Sequence, residues 1–66
     1  MASTLADVLE GMSREWMALG ALRRELIEDG VKMSGSALNM RLYKLMGHGL
    51  VERVESSEGY LWRKAE

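Results

Sequence analysis

Residues 34–64 read SGSALNMRLYKLMGHGLVERVESSEGYLWRK, and this stretch decides the fold. Leu38, Leu42 and Leu45 recur at helical spacing with Met46 beside them, and Ser34 or Ser36 stands ahead as an N-cap. Gly47 and Gly49 supply the stop. Leu50, Val51 and Val54 then alternate with Glu52, Arg53 and Glu55, the pattern of a half-buried strand. Ser56, Ser57 and Gly59 make a turn, and Tyr60, Leu61 and Trp62 are strand formers. The order predicts an amphipathic helix that runs directly into a two-stranded antiparallel ribbon.

Upstream, Leu5, Val8, Leu9 and Met12 lie on one helical stripe. Ser3 or Thr4 can cap it, and Asp7 follows Thr4 at capping-box spacing. A first helix is therefore expected from about Thr4 to Glu10, with Gly11 as its stop. Residues 13–18 allow two readings. Either EWMAL is a brief extended segment that pairs with the ribbon, or Ser13 caps a longer helix through Trp16, Leu19, Leu22 and Leu26. Gly20 weakens a continuous helix and favours the extended segment. Leu19, Leu22, Leu26 and Ile27 form the stripe of a second helix, and Gly30 suits the left-handed position after its end. Val31 and Met33 are apolar, so the loop before the third helix is expected to pack against the body.

With 66 residues the chain is read as a single domain, 1–66, mainly α within the α+β class. A chain of this size buries only about 60% of its unfolded surface, so stability is marginal. No cysteine is present, which removes disulfides and thiolate-held metal from consideration. The core must come from aliphatic side chains and six methionines. A hydrophobic content of 47% argues against disorder. No apolar run reaches the ~18 residues of a membrane span, and the N-terminus lacks the basic region of a signal peptide. A cytoplasmic location is expected. The net charge is −1 and the pI about 5.8. A nucleic-acid binder of that charge must segregate its cations onto one face.

The third helix is where that face is expected. At about 100° per residue, its outward side carries Ser36, Met40, Tyr43, Lys44 and Gly47, flanked by Asn39 and Arg41. Asn pairs bidentately with adenine and Arg with guanine, while Ser, Ala and Met meet the thymine methyl. Lys44 would lie against phosphate. Arg23 and Arg24 fall early in helix 2, a region that crosses the phosphate backbone in helix-turn-helix proteins. Each residue also has a plainer role. Asn39 and Met40 are ordinary on a solvated or protein-contacting face, and Arg23 and Arg24 are balanced by Glu25, Glu28 and Asp29. Glu55 and Glu58 at the ribbon tip would repel phosphate, while Arg53, Arg63 and Lys64 lie nearer its base.

Nothing points to an enzyme. The one histidine, His48, lies between two glycines with no second histidine or cysteine at ligand spacing. GVKMSG lacks the Gly-Lys-Ser/Thr arrangement of a phosphate loop. No cofactor or metal is expected.

The stretch SALNMRLYKLMGHGLVERV resembles the winged helix-turn-helix domains of bacterial transcriptional regulators. Leu42, Leu45, Gly49, Leu50 and Val51 match the pattern in which a recognition helix leads into Gly-Leu-Val and the first wing strand. Arg41-Leu42-Tyr43 and Leu61-Trp62-Arg63 are similar to segments of the small fimbrial-operon regulators. Asn39, Tyr43 and Trp62 resemble a set in the winged Z-alpha domains that bind left-handed nucleic acid, although Gly35 and Met40 occupy positions that are basic there. The resemblance implies three helices followed by a two-stranded wing, and a sequence-specific transcriptional regulator that reads double-stranded DNA with helix 3, about residues 34–47. A homodimer or a partner regulator would supply the affinity that one small module lacks. The alternative is a winged helix used for protein contact without DNA. Between Leu26 and Leu38 the chain is longer than a tight helix-turn-helix requires, so helix 2 must extend or the linker must loop.

Overall fold

A computed structural model describes residues 4–66. The elements follow the order α1 Leu5–Gly11, β1 Met17–Ala18, α2 Leu19–Glu28, α3 Gly35–Gly47, β2 Val51–Ser56 and β3 Gly59–Lys64. The strands form one antiparallel sheet in the order β1-β3-β2. The sheet thus has three strands where the ribbon expectation counted two. The third is the brief extended segment, in which Met17 pairs with Trp62 and Ala18 with Leu61. Among the described residues, no helix is long and apolar enough to cross a membrane.

Helix α1 starts where the capping box placed it. The Thr4 hydroxyl accepts from the Asp7 amide at 3.2 Å, and the Asp7 carboxylate accepts from the Thr4 amide at 3.1 Å. A cap at Ser3 lies outside the described residues. The helix ends at Gly11, as expected, one residue later than the expected Glu10, but the backbone there does not turn left-handed. The residue's missing side chain serves packing: a Cβ there would run into Cδ2 of Leu26. The glycine lets α1 approach α2 where Leu26 is wholly buried.

Helices α2 and α3 end in the same way. Gly30 (φ 85°) and Gly49 (φ 74°) take the left-handed conformation just past each helix. Val31 donates to the Leu26 carbonyl and Gly30 to that of Ile27. One helix later, Leu50 donates to Leu45 and Gly49 to Met46. These paired bonds are Schellman motifs, which satisfy carbonyls otherwise left open at a helix end. Past α2, the motif feeds the chain back toward the body, where Val31 and Met33 pack against the core. The Arg23 Nε–H donates to the Met33 carbonyl at 2.7 Å. The long Leu26–Leu38 connection is therefore resolved by both extending helix 2 through Glu28 and looping the linker.

The core comprises Val8, Met12, Leu22, Leu26, Leu38, Leu42, Leu45, Val51 and Trp62. Each fully buried aliphatic of this kind is worth about 1.5–3 kcal/mol relative to exposure. Leu19 is half-buried and Ile27 is 37% exposed, so the fully buried stripe of α2 is narrower than expected. Trp62 is sealed beneath the sheet, 2% exposed. The ribbon's phase also differs from the expected one. Val51 is buried while Leu50 and Val54 are exposed. Because a strand alternates faces, Arg53 shares the inward side with Val51, and Val54 shares the outer side with Glu52.

Candidate functional site

The candidate face is the outer side of α3. Ser34 caps this helix, its hydroxyl accepting from the Ala37 amide at 3.1 Å. With Leu38, Leu42 and Leu45 in the core, the geometry of 3.6 residues per turn turns Ser36, Met40, Tyr43, Lys44 and Gly47 to solvent. Met40 is the most open of the large apolar side chains, at 62% exposure. Asn39 and Arg41 are half-buried on the flanks, as the helical projection places them.

One flank of the ridge falls into a shallow open groove of about 370 Å³ between α3 and the start of α1. Thr4, Leu5, Ala37, Met40, Arg41 and Lys44 line it. Arg41 lies along its own helix, with Nη1 donating to the Ala37 carbonyl at 3.2 Å. The other flank meets the sheet. Here Tyr43 packs edge-on against Trp62, ring centroids 5.4 Å apart at 82°. The Arg53 guanidinium lies among three rings, 4.1 Å from the Tyr60 centroid, 5.2 Å from Tyr43 and 5.8 Å from Trp62. It also donates to the Tyr43 hydroxyl. A cation held over ring faces in this way gains about 0.5–2 kcal/mol, more as water is excluded.

Sequence pattern anticipates Tyr43 packing on the ribbon and Trp62 beneath it, but it misses Arg53 among the rings, since it leaves Arg53 at the base of the ribbon and gives Tyr60 no role beyond strand formation. The signal is the two-residue alternation counted from Val51, which carries Arg53 inward toward α3. It is hidden because Val54 looks as apolar as Val51.

The expected cations fall in two groups. Arg41 and Lys44 meet at the groove. Arg23 and Arg24 are exposed on α2, and Arg23 also braces the loop that enters α3. Arg63 faces away, 4.3 Å from the Trp16 ring and 3.3 Å from the Glu52 carboxylate. Charge is segregated along the chain. Helix α3 holds Arg41 and Lys44 and no acidic residue, a local +2 in a chain whose total is −1. Glu55 and Glu58 are exposed toward the ribbon tip. His48 caps α3 in solvent, its amide donating to the Lys44 and Leu45 carbonyls.

Compared with protein families, curated proteins and solved structures, the chain shows no match.

Proposed function

We propose that this domain is a winged helix-turn-helix and that it acts as a sequence-specific, DNA-binding transcriptional regulator, with α3 reading the major groove. The observation that carries the reading is the charge pattern of α3: thirteen residues without a carboxylate, an exposed polar ridge, and cations on both flanks. An α-helix with its side chains is about 10–12 Å across, which fits the roughly 12 Å major groove. Ser36, Asn39 and Met40 would meet base edges. Arg41, Lys44 and the caged Arg53 would neutralise phosphates on either side, with Arg23 and Arg24 reaching the backbone from α2.

Titration of the protein with a mixed-sequence duplex at ~50 mM salt, followed by NMR shifts, tests this, because phosphate contacts are strongest at low salt. Shifts should concentrate in α3 and β2. Lys44→Ala should reduce the slope of log K against log salt by about 1. No binding at ~50 mM salt would reject the reading. Binding left unchanged by both Arg41→Ala and Lys44→Ala would reject the face.

A second reading, protein contact without DNA, is favoured by the apolar share of the same ridge, Met40 at 62% and Tyr43 at 41% exposure, with Tyr60 on the neighbouring strand at 44%. Large exposed apolar groups set close together mark contact surfaces. It predicts a duplex titration without shifts.

A further inference from the structure

We propose that two copies of this chain join edge to edge through β2, in one defined register. The inference goes beyond the DNA reading and does not depend on it.

Strand β2 is an outer strand of the sheet. Its hairpin with β3 closes at Ser56 and Gly59 around a two-residue loop, and the register continues as Val54 with Leu61 and Glu52 with Arg63. The closing pair of such a loop exchanges both backbone bonds, and bonded and non-bonded pairs alternate from there. Ser56, Val54 and Glu52 therefore spend their backbone groups on β3. The bond from the Ala65 amide to the Leu50 carbonyl continues the same alternation. The amides and carbonyls of Val51, Arg53 and Glu55 point to the free edge. An open row of this kind is a template for another strand.

A second copy related by a twofold axis must bring outward-facing residues opposite outward-facing residues. That parity forbids the register centred between Arg53 and Val54, which would also set Glu52 against Glu55 of the second copy. Two central registers remain. One puts Arg53 against its own copy, and like charges directly opposite are destabilising. The other puts Val54 on the axis against its own copy, Arg53 opposite Glu55 on both sides of the axis, and Glu52 opposite Ser56. Only this one is complementary in charge.

Two features of the single chain suit it. Val54 is exposed on the outer sheet face, and Glu55 is exposed with no ion-pair partner among the described residues. The cage of Tyr43, Tyr60 and Trp62 holds the Arg53 charge on the inward face of β2, the face Glu55 also occupies. The axis runs through the sheet plane, so the product is a continuous six-stranded sheet with both α3 helices on the same side.

The chain has no cysteine, which makes Val54→Cys a clean probe. At a non-bonded antiparallel pair the Cα atoms are ~4.5 Å apart, within reach of a disulfide. Wild-type protein should sediment as a concentration-dependent dimer without DNA. Val54→Cys in a glutathione redox buffer should become a covalent dimer, while Val51→Cys and Glu58→Cys should not. Glu55→Arg, which sets arginine against arginine, should weaken association at least tenfold while leaving the circular dichroism unchanged. Sedimentation as a monomer up to millimolar concentration would overturn the proposal. A dimer that neither cross-links at position 54 nor responds to Glu55→Arg would overturn it equally. Because no step contains DNA, failure of the DNA reading is recorded separately.

Discussion

Gly11→Ala isolates the contact that sets the spacing of α1 and α2. In an open helix this change stabilises by up to about 1 kcal/mol, because alanine restricts the unfolded chain more. Here the new Cβ would sit far inside contact distance of Leu26 Cδ2. Leu26 is 0% exposed, so its methyl cannot swing into solvent. Either Leu26 leaves its rotamer or α1 moves away, and overpacking of this kind costs about 1–3 kcal/mol. A net loss of about 1–2 kcal/mol is expected once the helix gain is set against that cost. For a domain of this size each kcal/mol is worth about 4–8 °C in melting temperature. Thermal denaturation followed by circular dichroism measures it directly. Gly20→Ala is the control: nothing lies within 4 Å of the Cβ that alanine would add there, so it should gain a few tenths to about 1 kcal/mol. Leu26→Val, which withdraws the clashing methyl, should remove most of the Gly11→Ala penalty in the double variant. A Gly11→Ala protein at least as stable as wild type would refute the close-approach argument.

Gly49→Ala forces an alanine to φ 74° and should lower stability by about 1–2 kcal/mol, read as a shifted urea midpoint with unchanged m-value. Gly49→Asn should lose less, since asparagine tolerates that region. Arg53→Met keeps the aliphatic stem but removes the charge from the ring cluster. A loss of about 0.5–2 kcal/mol is expected, with a changed near-ultraviolet circular dichroism as Tyr43 and Trp62 lose their common neighbour.

Much of the architecture is legible in the sequence because its signals are local. Thr4 and Asp7 announce a capping box within a single turn, and Gly30 and Gly49 mark left-handed ends that few other residues tolerate. The 3–4 spacing of Leu38, Leu42 and Leu45 fixes both the core stripe of α3 and, by difference, the side it shows to solvent. What is not legible depends on contacts between distant parts of the chain. Gly11 reads only as a stop, since a sequence does not reveal that Leu26 will also press on it from the next helix. Val54 and Val51 have equal hydrophobicity, and only α3 packing against the sheet decides which one is inside. Arg53 reads as a surface cation for the same reason: its ring neighbours come from positions 43, 60 and 62.

The Arg53 guanidinium is held by rings from α3 and from β3 while its own backbone belongs to β2. Helix and hairpin consequently share a rivet, and swinging one away from the other costs this contact. A partner that meets both must accept a fixed angle between them. Shape selection by this molecule is thus built in before any encounter, at the expense of adaptability.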